Sequence, residues 1–263
     1  MTTHILLYHA LDAAAHPPPF DDACDMSVVV NVDDFRAQLA CLAAIGKRVV
    51  SLEDALFPTN GQLHQNGNVA LTFDDGHESN YRLAFPLLQE VGFAATFYVV
   101  GGFVDQDPNY VTSAQLREMA KSGMTIGSHT MTHRWLPTLN STEVRRELAD
   151  SKARLEDLLQ QSVLDFALPG GHYSPAILNA IRDSGYRSVA TSKAGAHTVG
   201  DTAICFNRIE IRRDLSTVHF QDRFRSSTLM KLRLLEAGKD CLRRACGLER
   251  YTRMRRFAHS ILR

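Results

Sequence analysis

The chain reads as an α/β protein: strands alternate with helices along most of its length, and polar, chemically capable residues follow the strands. Short β-branched apolar runs recur between stretches of helical periodicity. That alternation implies a parallel sheet with helices outside it, either open or closed into a barrel. In such folds the chemistry sits at the C-terminal ends of the strands, and His9, Asp74-Asp75, His129, His133 and the segment Pro169 to Tyr173 each follow one.

The elements follow in order. His4 to Tyr8 reads as a strand. Asp33 to Ile45 reads as a helix with Phe35, Leu39, Leu42 and Ala43 on one face and Gly46 as its stop. Val69 to Phe73 and Ala95 to Val100 are strands, and Pro86 opens a helix that Gly92 ends. Thr112 with Gln115 forms a capping box for a helix ending at Gly123, and Thr125 to Ser128 is a short strand. Asn140 with Glu143 opens a long helix with the apolar stripe Val144, Leu148, Leu155 and Leu159. Leu164 to Leu168 is a strand, Ser174-Pro175 starts a helix that Gly185 ends, and Ser188 to Thr191 and Asn207 to Ile211 complete the set.

Composition bounds the chain further. Its 263 residues are 44% hydrophobic, enough for a buried core in one domain with an appendage. Formal net charge is zero, which argues against a whole-chain preference for nucleic acid. The zero hides an asymmetry. From about Gln221 onward basic residues dominate (among them Arg223, Arg225, Lys231, Arg243, Arg253 and Arg256), so residues 1–220 form one expected unit and 221–263 a basic helical extension. Ser226 to Leu235 and Cys241 to Leu262 have helical spacing, with Leu229, Leu232 and Leu235 recurring on one side. Two readings fit: helices packed on the barrel with a solvated Arg-rich face, or an amphipathic segment touching an anionic membrane or an acidic partner protein. Five scattered cysteines lack the paired spacing of a zinc site, and the N-terminus lacks a signal-peptide pattern. A cytoplasmic location is the expectation, peripheral at the inner membrane face under the second reading of the tail.

Two motifs carry chemistry. In Thr72-Phe73-Asp74-Asp75-Gly76-His77, adjacent carboxylates raise one another's pKa, a cost that a bound cation relieves. One carboxylate can ligate it while the other stays free as a base; a capping or turn Asp pair is the alternative. In Ser128-His129-Thr130-Met131-Thr132-His133, two histidines four apart can converge on one ion, imidazole nitrogen suiting zinc and its neighbours. Together these supply one carboxylate and two imidazoles, a three-ligand set that leaves positions for water and substrate.

These motifs resemble the T-F-D-D-G and H-[ST]-x-x-H motifs of the polysaccharide deacetylases, whose shared region is the NodB homology domain. Phe166-Ala167-Leu168-Pro169-Gly170-Gly171 is similar to the family's R-x-P-[YF]-G motif, and the resemblance covers roughly Val69 to Ile211. Tyr8-His9, Phe35-x-x-Gln38-Leu39 and Val50-Ser51-Leu52 look like the N-terminal part of exopolysaccharide-associated members. The resemblance implies a distorted (β/α) barrel with fewer than eight strands and hydrolysis of N-acetyl groups on amino sugars of a polysaccharide, oligosaccharide or glycolipid. It implies that Asp75, His129 and His133 bind a divalent metal (zinc, with cobalt, nickel or manganese as alternatives), that Asp74 is the general base, and that Thr130 braces the histidine loop. A backbone N–H in the Pro169-Gly170-Gly171 turn would hold the oxyanion. His9, His77, Pro169, Gly170, Gly171 and Tyr173 are the candidate substrate-binding residues.

Two departures stand out. The family's third motif begins with an arginine that pairs with the base; here that position is Ala167, and Arg208 on a later strand is the candidate replacement. The late L-x-H motif that supplies the general acid is not recognisable, leaving His172, His197, His9 and His219 as candidates. Hydrolysis of a non-sugar amide on the same metal site, or a catalytically weak carbohydrate-binding homologue, are the competing readings.

Overall fold

The strand Thr2–Tyr8 is hydrogen-bonded on both edges, and this closes the sheet on itself. The computed structural model describes residues 2–13, 25–58, 64–198 and 205–246. Among these, the strands in chain order are β1 (Thr2–Tyr8), β2 (Leu11–Asp12), β3 (Val30–Asn31), β4 (Arg48–Val49), β5 (Asn68–Phe73), β6 (Ala95–Val99), β7 (Thr125–Ser128), β8 (Asp165–Ala167), β9 (Ser188–Ala194), β10 (His197–Thr198) and β11 (Cys205–Glu210). The helices are α1 (Val32–Ala44), α2 (Leu52–Leu56), α3 (Phe85–Val91), α4 (Ser113–Lys121), α5 (Ser141–Leu159), α6 (Pro175–Asp183), α7 (Thr217–Asp222) and α8 (Ser226–Cys246).

Seven parallel strands, in the order β1-β11-β9-β8-β7-β6-β5, form a barrel closed by β1 on β5 from Thr3↔Asn68 to Tyr8↔Phe73. The expected barrel with fewer than eight strands is therefore the observed one. Alternation sorts the side chains. Ile5, Ala70, Tyr98, Ala167, Ala190 and Phe206 form one buried cluster with α2 residues Leu52, Ala55 and Leu56. The out-of-phase residues, such as Leu6, Tyr8, Leu71, Phe73, Phe97 and Ile126, belong to a larger cluster with the helices. Helix α1 contributes Phe35, Leu39 and Leu42, each at most 2% exposed and each worth about 2 kcal/mol of burial.

Local signals explain the helix ends. Both expected capping boxes form, Thr112 with Gln115 and Asn140 with Glu143. Ser174 caps α6, whose first residue is Pro175. Pro86 departs from expectation. It does not open its helix, because a π-helical turn Asn80–Ala84 precedes α3. Proline lacks an N–H and its ring crowds the carbonyl four residues back, and a wider turn accommodates both.

Two further differences concern the later chain. β10 is a two-residue antiparallel strand on β1, pairing His197 with Thr3. Helix α8 runs unbroken through Leu235 and Cys241, where two helices were expected; residues 247–263 lie outside the described residues. Of its expected stripe, Leu229 is buried and Leu232 packs on the core, whereas Leu235 is 64% exposed. Arg233 Nε donates to Ala194 O at 3.1 Å, and Phe224 meets His4 edge-on at 5.3 Å. Helix α7 straddles residue 220, and Phe220 is fully buried. Among the described residues, no helix is long and apolar enough to cross a membrane.

Candidate active site

Asp74 and Asp75 leave the end of β5 in different directions. The Asp74 N–H donates to Tyr8 O at 2.9 Å, which ties it to the end of β1. Its carboxylate is buried and lies against Arg208, which is wholly buried. The two guanidinium contacts measure 2.7 Å (Nη1 to Oδ1) and 2.6 Å (Nη2 to Oδ2). Arg208 is itself fixed by donating from Nε to Thr191 O at 2.9 Å and from Nη1 to Thr72 Oγ1 at 3.1 Å, with its guanidinium 5.5 Å from the Tyr98 ring centre. Burial alone would raise the Asp74 pKa. The charge of Arg208 and its hydrogen bonds, with His129 and His9 nearby, more than offset that and hold it below the usual carboxylate range. The cation missing at Ala167 thus comes from β11, on a strand far along the chain.

Asp75 takes a left-handed backbone (φ 76°), and so do Thr130 (φ 69°) and His133 (φ 58°). Positive φ in a β-branched residue such as Thr130 is a genuine outlier, and each such residue costs on the order of 1–3 kcal/mol. The strain directs three donors to one point. His129 Nε2 and His133 Nε2 lie 3.4 and 3.3 Å from Asp75 Oδ1, and all three donor atoms are within 4.8 Å of one another. Two donors about 2.1 Å from a common ion at a tetrahedral angle stand about 3.4 Å apart, so these spacings suit one small divalent cation. His129 Nδ1 donates to Ala167 O at 2.9 Å, which fixes the ring with Nε2 facing the point the three donors share. Electrostatics agree. Burial pushes the Asp75 pKa up, yet hydrogen bonds from both histidines pull it well below the usual range. For His133, burial lowers the pKa and the Asp75 hydrogen bond and charge raise it further than that. The donor set therefore attracts positive charge, and its chemistry fits a zinc-like ion.

The histidine loop is held on every side. Thr130 Oγ1 accepts the His133 N–H at 3.0 Å. Gly101 and Gly102 N–H donate to Thr130 O and Met131 O at 3.0 and 2.9 Å. Glu147 of α5 accepts from Met131 N and Thr132 N, both at 2.9 Å, and from Thr132 Oγ1. One turn further on, Ser151 Oγ meets Ser128 Oγ at 2.8 Å.

The other expected residues divide into two groups. His9 follows β1, whose neighbour β5 carries the carboxylates, and its charge is felt at both Asp74 and Asp75. Its Nδ1 is buried without a hydrogen-bond partner, and Asn80 Nδ2 holds its carbonyl at 2.7 Å. His77 is buried beside Ser79 Oγ (2.9 Å) and Tyr110 (ring centres 6.1 Å apart); burial lowers its pKa to about 4. His172 packs against Trp135, ring centres 5.5 Å apart, at the same barrel end. Tyr173 lies under Lys193, 5.0 Å from ring centre to Nζ. His197 belongs elsewhere. It pairs with Thr3, five residues before Tyr8, and is therefore about 17 Å along the barrel from the carboxylates at 3.3 Å per residue. That removes it from the proton-donor candidates. His219 is exposed in α7 with its Nδ1 against Ser216 Oγ. In the Pro169-Gly170-Gly171 turn, Pro169 has no N–H and that of Gly171 donates to Leu168 O at 2.8 Å, which leaves the N–H of Gly170.

Known proteins share these features. The polysaccharide deacetylase family profile matches residues 63–189. The putative polysaccharide deacetylase YxkH of Bacillus subtilis is 28% identical over 213 residues, covering 81% of this chain and 72% of that protein. A structure of the Streptococcus pyogenes deacetylase PplD in complex with acetate superposes with a TM-score of 0.74 at 28% identity, covering 86% of this chain and 99% of that one. Residues 63–189 are a polysaccharide deacetylase domain by the profile match. The peptidoglycan-N-acetylglucosamine deacetylase of Bacillus cereus is 30% identical over 125 residues, and the match spans 47% of this chain and 56% of that protein. Within the matched region, Asp75, His129 and His133 of the two most specific motifs share one candidate metal centre.

Glu147, Ser151, Gly101, Gly102 and Asn80 escape a reading of motifs alone. Glu147 left one trace: it falls three residues after Val144, so a charge sits on the apolar face of α5.

Proposed function

We propose that this protein removes N-acetyl groups from amino sugars of a polysaccharide, oligosaccharide or glycolipid, using a divalent cation, zinc foremost, held by Asp75, His129 and His133. The observation that carries the reading is the convergence of these three donors beside a fourth group, Asp74, that is ionised yet turned away from them onto Arg208. The names of the relatives in Bacillus cereus and Rhizobium, an N-acetylglucosamine deacetylase and a chitooligosaccharide deacetylase, support an N-acetylated amino sugar as substrate.

A bound ion would lower the pKa of a water and polarise the acetyl carbonyl. Asp74 takes the proton as the water oxygen bonds to the carbonyl carbon, and Arg208 keeps that carboxylate charged and oriented. The Gly170 N–H holds the oxygen on which charge develops. His9 donates a proton to the nitrogen as the C–N bond breaks, leaving acetate and the free amine. Besides the metal-centre histidines, it is the one whose influence reaches both carboxylates, and its buried Nδ1 has no hydrogen-bond partner among the described residues.

The test measures bound metal and acetate released from N-acetylglucosamine oligomers. Asp74→Asn keeps the metal and loses about 10²- to 10⁴-fold in turnover. His133→Ala loses both. A wild-type protein that binds zinc tightly but releases acetate from no acylated sugar would overturn the hydrolase reading and favour a binding role.

A further inference from the structure

We infer that Glu147 is a positioning residue for the metal centre: its carboxylate, bonded to the backbone between His129 and His133, sets how tightly the site holds a divalent ion. This rests on the metal reading above and goes beyond it, because Glu147 belongs to neither motif and touches neither substrate nor ion.

The case begins with cost. Glu147 is 6% exposed, and a carboxylate is not buried at so little exposure without strong partners. Its partners are Met131 N–H, Thr132 N–H and the Thr132 hydroxyl, all from the three-residue spacer that separates the two histidines. Charge-assisted bonds to backbone N–H groups are roughly twice as strong as neutral ones. They act on a segment that needs restraint. Thr130 and His133, on either side of Met131 and Thr132, are both left-handed, and the loop would relax toward ordinary φ values without an anchor. Relaxation at His133 would swing its ring away from Asp75.

Helix α5 makes a clamp of this anchor. Glu147 and Ser151 are four residues apart and share a face. Glu147 grips the spacer, while Ser151 grips Ser128, the residue before His129. Gly101, which packs against Ser151, and Gly102 bond Thr130 O and Met131 O. The geometry of the donors is thus built by the helix and the β6 loop.

The experiment measures zinc affinity by calorimetric competition with a chelator, and the visible spectrum of the cobalt-loaded protein as a report on ligand geometry. Far-UV circular dichroism checks the fold. Glu147→Ala weakens zinc binding about 10- to 100-fold, the range found when outer partners of metal ligands are removed, and changes the cobalt spectrum. Glu147→Gln, which can still accept the two backbone N–H groups while its amide donates to Thr132 Oγ1, recovers most of the affinity. Thr132→Ala, at an exposed position, removes one of the three bonds without disturbing the core and weakens zinc several-fold; it carries the test if Glu147→Ala does not fold. A folded Glu147→Ala, or Thr132→Ala in its place, with zinc affinity within twofold of wild type and an unchanged cobalt spectrum overturns the inference. Wild-type protein that binds no divalent ion would instead sink the metal reading itself.

Discussion

Arg208 holds Asp74 through two parallel hydrogen bonds of 2.7 and 2.6 Å, reaching it from β11 past the single intervening strand β1. Both partners are buried, so neither can lose the other without leaving an uncompensated charge. Arg208→Met should cost about 3–5 kcal/mol in urea unfolding. It should also lower kcat/KM for acetate release by about 10²-fold, a typical share for a general base that is no longer held in place. The sign of the pH effect is fixed. With the cation gone, burial dominates and the Asp74 pKa rises, so the acidic limb of the rate profile moves to higher pH. Arg208→Lys keeps the charge but loses the fork and should fall between the two. A Met variant as stable and as active as wild type would show that the pair is incidental.

The choice of proton donor gives a second test. His9→Ala should lower turnover on N-acetylglucosamine oligomers by about 10²-fold or more, because the amine cannot leave without a proton. The same variant should lose far less on an aryl acetate, whose leaving group departs as an anion. His197→Asn, at the far end of β1, should stay within about twofold on both substrates. Equal losses on the two substrates for His9→Ala would assign His9 a role other than donating a proton.

The contrast between these residues shows what a linear sequence reveals. Strand ends, capping boxes and the two motifs are local signals, and β5, β7, α4 and α5 follow them closely. Arg208 was legible as a candidate for the charge missing at Ala167, but its reach to Asp74 depends on barrel closure and on the small Ala70, Ala167 and Ala190 that leave interior space. His197 misled because a two-residue antiparallel strand has no periodicity to detect, yet it decides which end of the barrel the histidine occupies. The π-helical turn before α3 is similarly silent, since Pro86 fits a helix start as well as a helix irregularity.

Acid should destabilise the fold through His4. Burial, with Lys47 nearby, lowers its pKa from 6.5 to about 4 in the folded chain. A depressed folded pKa means the unfolded chain binds more protons between those values, so stability is full above about pH 6.5 and falls as pH drops toward 4. At pH 4.5 the loss is on the order of 2 kcal/mol from this one group. His4→Phe retains an aromatic partner for Phe224 and removes the titration. Urea unfolding at pH 7 and pH 4.5 should therefore show a smaller pH difference in the variant by about that amount. An unchanged difference would mean that His4 is not the group responsible.

Gly102 supplies the last test, because it separates crowding of the metal loop from glycine replacement in general. A Cβ at this position would stand 2.4 Å from Met131 O, the same carbonyl that the Gly102 N–H binds at 2.9 Å. The obstacle is backbone, so no side chain can rotate aside. Gly102→Ala must push Met131 away, and with it the spacer that sets His133. The expected cost is about 1–3 kcal/mol of stability, typical of overpacking, together with weaker zinc binding. Gly238→Ala in α8 is the control, since nothing lies within 4 Å of a Cβ there and alanine favours a helix by roughly 0.5–1 kcal/mol. It should leave zinc affinity untouched and hold or raise the unfolding midpoint. Should Gly102→Ala bind zinc as tightly as that control, the β6 loop would have no part in shaping the metal site, and helix α5 alone would carry that function.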